Sequence, residues 1–518
     1  GKIIMEWDAI VIGSGIGGLT AAAALARCDQ RVLVLEQHFA LGGMTQTFER
    51  QGFRFGTGLH YIGGVGPQSG AAGSFGRLLG WLGDGSLQFA PLPAHFDTVR
   101  LRDPSQPGGE FSFSFGAPES DNITRLKALF PDDAAALDRY ALAFRKATRA
   151  AMQVFSLHGL PKPAAAVMGW VRGGALREAA QTTLADAVAG IAHPTLRQLL
   201  AARGGDYGLP PKEAPLLLHA TVIGSYTHGA WYPGGGPQRF AESLGATVRA
   251  AGGELRTAAA VAGIEMERGR ACGVRLPSGE VERAPAIVSA MGAANTARAL
   301  PREAAPGWQA EIATFKPSGT YVALFLGFEG DIRDATDGAN HWIYETPAGP
   351  DALDRDDPPD ADAPSLFVSF GSVDDPAHTG GFTAELLAPC SWKVFERWKD
   401  SRLGERPEDY EATKAWIEDR LLAQFKRLFP ALAGRVVFHE LATPLSHAAY
   451  ANAPRGAMYG LRMTPERLLD PALHARTPVP GLFLGGQDVT SLGIQGAAMG
   501  GFMAAASIEP RLWKQMSH

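Results

Sequence analysis

One short segment constrains the fold more than any other: Gly13-Ser14-Gly15-Ile16-Gly17-Gly18, set between an apolar strand pattern and an alanine-rich helix pattern. Ahead of it, Asp8-Ala9-Ile10-Val11-Ile12 reads as a buried strand; behind it, Leu19 to Arg27 reads as a helix and Arg31 to Glu36 as a second strand. That is a βαβ unit, which points to an α/β architecture of Rossmann-like type. Gly13 permits the tight turn, Gly15 lets backbone approach a pyrophosphate at the helix N-terminus, and Gly18 lets helix pack close on strand. Glu36 stands 23 positions after Gly13 at a strand end, where it can accept ribose hydroxyls. The segment is read as a dinucleotide site rather than a glycine-rich turn that binds nothing.

A chain of 518 residues exceeds one core and implies two to four domains, and its 46% hydrophobic content suffices to pack them. The net charge of −5 and pI near 6.3 leave no excess of basic surface for a phosphate backbone, so nucleic acid is excluded as a partner. Cys28, Cys272 and Cys390 are too scattered for a disulfide framework or a cysteine-held metal, and no metal site is expected. Gly1–Ile4 ahead of Met5 read as an appended remnant, with no signal-peptide layout behind them. A cytoplasmic location follows, on the inner face of a membrane if the chain binds one. No apolar run reaches the ~20 residues that span a bilayer. Pro163 to Val171, with Met168 and Trp170 between Lys162 and Arg172, can lie on a membrane surface, but a buried cap helix is the favoured reading.

Residues 76–231 carry Pro/Gly breaks and helical stretches such as Ala134 to Val154, without a second glycine fingerprint. Tyr232-Pro233-Gly234-Gly235-Gly236 then leads into a helix from about Gln238 to Ala251. Strands are expected within Glu254–Ile264, Ala271–Leu276 and Ala286–Ala290, with Pro277-Ser278-Gly279 as a hairpin turn. Tyr321 to Phe328 opens a strand-rich stretch, Asp351 to Pro364 is a solvated loop, and Tyr410 to Leu428 is an amphipathic helix. These shifts divide the chain into a discontinuous cofactor domain (5–75, 232–300 and 471–515) and a substrate or cap domain (76–231 and 301–470).

Further motifs narrow the cofactor. Gln37-His38-Phe39-Ala40-Leu41-Gly42-Gly43-Met44-Thr45 supplies a second glycine turn just after the ribose-binding strand. With Gly52 to Gly63, Trp231 to Gly236 and Pro478 to Ala497, these blocks resemble the family of retinol saturases, carotenoid isomerases and phytoene desaturases. Thr57-Gly58-Leu59-His60-Tyr61-Ile62-Gly63 looks most like the retinol saturase branch. The resemblance is anchored in roughly the first 65 residues and two later stretches. It implies FAD, bound in a Rossmann-like domain of the amine oxidase/phytoene desaturase type with an interleaved α+β substrate domain. It also implies contacts from Gly13, Gly15, Ile16, Gly17, Gly18, Glu36, Gln37, Gly42, Gly43, Met44, Thr45 and Val261. Asp488 is expected to meet the ribityl chain, and Gly486, Gly493, Ile494, Gln495 and Ala497 the flavin end. Gly56 departs from the pattern, since relatives usually have Asp there, so polar contacts from that position should be absent or replaced.

His60 and Tyr61 follow a glycine turn expected near the flavin, and either can give or take a proton beside a hydride transfer; His60 can equally be a hydrogen-bonded structural histidine. By analogy Tyr226, His228, Tyr450 and Tyr459 face the cofactor, although buried tyrosines more often serve structure. Lys316 resembles the flavin-facing lysine of amine oxidases. There is no G-x-S-x-G elbow, no H-E-x-x-H and no nicotinamide-type second fingerprint, so electrons must come from an external donor or partner, or be exchanged with substrate or a quinone. The resemblance implies reduction of a carbon–carbon double bond in a long apolar polyene or lipid held in an apolar tunnel. Carotenoid desaturation or cis–trans isomerisation, amine oxidation, and a flavin-binding protein without turnover are the alternatives.

Overall fold

The computed structural model describes residues 7–66, 74–354 and 362–517. The Gly1–Ile4 remnant and residues 355–361 of the acidic loop lie outside them, and the start of that loop, Gly349–Asp354, is a 3-10 turn.

The glycine turn sits at the centre of a five-stranded parallel sheet in the order Leu482–Leu484, Ile287–Ser289, Ala9–Ile12, Val32–Leu35, Glu254–Arg256. A parallel sheet must be covered on both faces, and the period-two alternation shows how. Ala9, Val11, Val32, Val34 and Val288 join the core that holds the helices, whereas Ile10, Ile12, Leu33, Leu35 and Ile287 join a second core with Ile264, Ala271 and Val274. Those last three belong to an antiparallel sheet of Gly263–Glu267, Arg270–Arg275 and Val281–Arg283, and Gly279 in the expected hairpin turn has φ +90°.

The helix behind the turn, Ile16–Ala26, is buried on every side, which explains its run of small residues. It packs against Arg239–Ala250 and, most closely, against Gly493–Ile508. Glycine sets that approach: a Cβ on Gly501 would lie 1.9 Å from the Gly17 carbonyl oxygen, and one on Gly17 would lie 2.6 Å from Gly486 Cα. Chain segments almost five hundred residues apart thus meet backbone to backbone.

A seven-stranded sheet lies beside this unit in the order Val436–Ala442, Tyr321–Phe328, Thr383–Pro389, Ser365–Ser369, Asn340–Tyr344, Asp97–Arg102, Glu110–Phe115. Its pairs are antiparallel except Asn340–Tyr344 with Asp97–Arg102. Leu324, Leu386, Val368 and Ile343 pack with Ile417, Leu421 and Phe425 of the helix Glu408–Leu428. Alternation sends Glu385, Phe367, Ser369 and Trp342 to the other face, towards the segment Thr57–Tyr61.

The helices Ala134–Ser156, Lys162–Gln181 and Leu216–Gly224 form the cap. Here the reading of Pro163–Val171 as buried fails. Trp170 is 88% exposed, Val171 65% and Val167 61%, and the helix is held at its far end by buried Leu176 and Ala180. Its first half projects from the protein because nothing packs over it; a short apolar stretch carries the same residue pattern in a core or on a surface. No helix of the described residues is long and apolar enough to cross a membrane.

Two glycine substitutions separate close packing from helix propensity. Gly501→Ala should lower stability by roughly 1–3 kcal/mol, the usual cost of overpacking, and reduce the flavin content of the purified protein. Gly173→Ala, where a Cβ meets nothing within 4 Å in the exposed helix, should instead raise stability by roughly 0.5–1 kcal/mol. Denaturant titration with flavin absorbance checks both.

Candidate active site

The end of the parallel sheet opens into a cavity of about 240 Å³ whose walls include Gly13, Gly15, Glu36, Gln37, Gly43, Met44, Val261, Gly292, Leu461, Gln487 and Asp488. The two N-terminal glycine turns are locked together at its edge. Ser14 Oγ donates to Glu36 Oε2 at 2.6 Å and accepts from the Gly42 N–H at 3.1 Å, while Glu36 also accepts from the Ser14 and His38 N–H groups at 2.9 and 2.8 Å. Thr45 turns inward and donates to the Gly42 carbonyl at 2.8 Å.

The lining fits a flavin dinucleotide. A Cβ on Gly15, Gly486 or Gly493 would meet no protein atom within 4 Å, so backbone faces open space at all three. Ile16–Ala26 and Gly493–Ile508 both begin without a side-chain cap, leaving N-terminal N–H groups for phosphate and ring oxygens. Asp488, 4% exposed, accepts from the Ala293 and Leu461 N–H groups at 2.8 and 2.9 Å while lining the cavity. Arg467 buttresses that turn through the Gln487 and Asp488 carbonyls at 3.1 and 3.0 Å.

Gly17 and Gly18 have a different task from Gly15. They serve helix packing, since a Cβ on Gly18 would fall 2.0 Å from the Gly13 carbonyl oxygen. Ala497 contributes its carbonyl to the same contact with Gly17, and Ile494 lies in the first turn of the helix. The walls also contain stretches that the sequence does not advertise. Met291–Asn295 follows the strand Ile287–Ser289 with Gly292 at φ +88°, a strand–glycine–helix step like that at Gly13. His447 comes from the short helix Pro444–Ala451, and Asn452, Met458 and Gly460 from irregular chain, where no periodicity marks them.

The segment Thr57–Gly64 bridges the two expected flavin contacts. A Cβ on Gly58 would lie 2.6 Å from Met44 Cε, and one on Gly64 would lie 3.5 Å from Gln495 Oε1. His60 and Tyr61 sit between them. His60 Nδ1 lies 2.9 Å from Glu385 Oε2 and 2.9 Å from Ser369 Oγ. Glu385 also accepts the Gly56 N–H at 2.7 Å, and a Cβ at Gly56 would be 3.4 Å from the same oxygen. A carboxylate from the facing sheet thus stands beside position 56. Behind Glu385 a cavity of about 10 Å³, bordered by Arg54, Tyr232, Asp375 and His378, is the size of one water.

Tyr61 points the other way. Its ring stacks on Tyr226 at 4.6 Å and 7° and faces Phe367 at 6.2 Å, and its hydroxyl donates to Asp206 Oδ2 at 2.8 Å. Tyr459 lies beside this cluster, donating to the Gly205 carbonyl at 3.0 Å. The remaining candidates lie elsewhere. Tyr450 is 44% exposed and stands edge-on to His38 at the Glu36 end of the cavity, away from His60. Lys316 and His228 are exposed and do not line the cavity. Their loops turn the side chains outward, a direction that residue order alone does not fix.

Comparison with known proteins agrees with this geometry. Residues 16–508 match the family described as flavin containing amine oxidoreductase. The all-trans-retinol 13,14-reductase of Homo sapiens is 32% identical over 97% of this chain and 86% of its own length. The chloroplastic prolycopene isomerase of Daucus carota is 26% identical over 96% and 79%. A solved oxidoreductase from Methanosarcina mazei superposes with a TM-score of 0.61 at 19% identity, covering 95% of this chain and 98% of its own. The cradle, the paired uncapped helices and these matches together place the chain in the flavin containing amine oxidoreductase family, as an FAD-dependent oxidoreductase.

Proposed function

We propose that this protein reduces a carbon–carbon double bond of an apolar polyene, as the retinol reductases are named for doing. The observation that carries the reading is the placement of two protonable side chains, His60 and Tyr61, in an aromatic wall between Met44 and Gln495. Bound FAD supplies a two-electron, hydride-transferring centre; the protein's task is to orient the alkene and deliver a proton. Tyr61, Tyr226, Phe96, Phe367 and Trp342 form an aromatic cluster, with Tyr61 stacked on Tyr226 and Phe367 and the other pairs tilted, that offers a conjugated chain apolar contacts. Desaturation and isomerisation use the same parts. Amine oxidation is disfavoured because Lys316 points to solvent.

An apolar substrate needs a route from lipid, and the projecting cap helix provides a surface for it. Between positions 139 and 177 the chain carries Arg139, Arg145, Lys146, Arg149, Lys162, Arg172 and Arg177 and no Asp or Glu, although the whole chain is at −5. Exposed Trp170, Val167, Val171 and Met152 stand among these cations, and Arg172 bonds Gln153 at 3.0 Å to join the two helices. Apolar side chains ringed by cations suit an anionic bilayer, where each Lys or Arg near the surface contributes about 1 kcal/mol.

Anaerobic reduction of the protein with dithionite, followed by addition of retinol or a carotene, should reoxidise the flavin and yield a product heavier by two hydrogens. Reoxidation by no polyene, together with rapid reduction of the oxidised protein by amines, overturns the reading. In sedimentation with vesicles, the protein should bind phosphatidylserine-containing membranes and release at high salt. Trp170→Glu should weaken binding about tenfold or more at unchanged melting temperature; equal binding to neutral vesicles in high salt contradicts the electrostatic part.

A further inference from the structure

The interior behind Tyr61 holds two carboxylates and one guanidinium from two separate elements. Asp97 opens the strand Asp97–Arg102, while Arg203 and Asp206 lie on the 3-10 turn Ala202–Asp206. The Tyr61 hydroxyl lies between the carboxylates, 2.8 Å from Asp206 Oδ2 and 3.3 Å from Asp97 Oδ2.

The two carboxylates are supported unequally. Asp97 is fully buried and accepts from Asn340 Nδ2 at 3.3 Å and Trp342 Nε1 at 3.2 Å, with Arg203 at 3.8 Å; burial lifts its carboxyl to about 6, which leaves it the more acidic of the two. Arg203, lying over the Phe115 ring at 4.2 Å, is shared with Glu119 at 3.7 Å. Among the described residues Asp206 makes no ion pair; Arg203 acts on it only at longer range, and its other neighbours besides Asp97 and Tyr61 are the phenols of Tyr207, Tyr226, Tyr344 and Tyr459. One guanidinium cannot balance Asp97, Asp206 and Glu119 together, so a proton remains in the cluster. Asp206 and Tyr459 are only partly buried, unlike the aromatic groups around them.

We infer that Asp206 is the enzyme's proton reserve and that Tyr61, recharged by it, is the catalytic acid that protonates the alkene. This deepens the reduction reading and rests on it. As the π bond breaks, one carbon takes the hydride from the reduced cofactor and the other takes the Tyr61 hydroxyl proton. Tyr61 recovers a proton from the Asp206 carboxyl, which is refilled from solvent, and an external two-electron donor restores the cofactor. The two transfers are coupled, so that Tyr61 takes the Asp206 proton as it gives up its own and never stands as a phenolate, which matters because burial, then the Asp206 and Asp97 charges, hold the phenol well above its ordinary range. Burial, then the Asp97 charge, push the Asp206 carboxyl up to about 8, so it holds its proton at neutral pH. His60 is left as a positioning residue, tied through Glu385 to the loop that carries Tyr61.

The test joins a stability measurement to a single-turnover one. A carboxyl that titrates near 8 in the fold and near 3.8 when unfolded binds its proton more tightly in the native state, so its contribution to stability declines as pH rises between those values. Melting temperatures of the FAD-bound parent and Asp206→Asn should therefore diverge across that window, with the parent losing ground; a constant difference overturns the proton reserve. In reoxidation of dithionite-reduced protein by all-trans-retinol, Tyr61→Phe should slow the rate by ~10²–10⁴-fold, the span of general acid catalysis. The parental rate should fall above pH 8, and Asp206→Asn should lose that dependence. His60→Gln should cost under about tenfold, in keeping with a positioning residue. An unimpaired Tyr61→Phe protein, or a His60→Gln protein slowed more than Tyr61→Phe, overturns the relay while leaving reduction intact. If the parent reduces no polyene, the functional reading fails and the melting comparison still decides the reserve.

Discussion

The site depends on backbone meeting backbone with no side chain between. Gly17 sits against Gly486, and Gly501 against Gly17, so the first helix and the last long helix close to a distance that any Cβ would prevent. That contact joins two helices with uncapped N-termini and brings Asp488 beside Gly292 and Gly460. Asp488 then has two backbone donors in place and needs no side chain to orient it. Everything that varies with substrate can be carried by the inserted sheet and cap.

The parts legible in the sequence are those whose physics is local. The βαβ unit, the Pro277–Gly279 hairpin and the helix over 408–428 each announce themselves through periodicity or turn residues within a short span. Glu36 was legible because one spacing ties it to Gly13. Glu385 was not: it stands in Thr-Ala-Glu-Leu-Leu-Ala-Pro, where it reads as an ordinary strand position, and only sheet register turns it towards His60. Asp97 and Asp206 were hidden for the same reason, since their meeting at Tyr61 depends on Asn340–Tyr344 pairing in parallel with Asp97–Arg102. The exposed face at Trp170 was undecidable from composition, because a buried and a projecting apolar turn share one pattern.

Gly56 leaves its surroundings to the facing sheet. An acidic side chain there would occupy the space now taken by the Glu385 carboxylate, so the sheet supplies from strand Thr383–Pro389 what the loop lacks. The exchange is not neutral in its consequences. A carboxylate on the loop moves with the loop, whereas Glu385 is anchored in a seven-stranded sheet whose other face packs on the helix 408–428. His60, bonded to Glu385 and Ser369, inherits that rigidity.

The same logic separates the roles of the two adjacent candidates. His60 is held from the sheet side by groups that fix its ring, and the polar cavity beyond Glu385 has room for one water. Tyr61, one residue on, faces the opposite direction into a cluster with more carboxylates than cations. A side chain clamped by a carboxylate and a hydroxyl is suited to holding a loop in register; a phenol beside a partly buried carboxyl that holds its proton is suited to passing one. Because consecutive residues of an extended segment point to opposite sides, one short loop between Met44 and Gln495 can do both, with structure on one side and chemistry on the other.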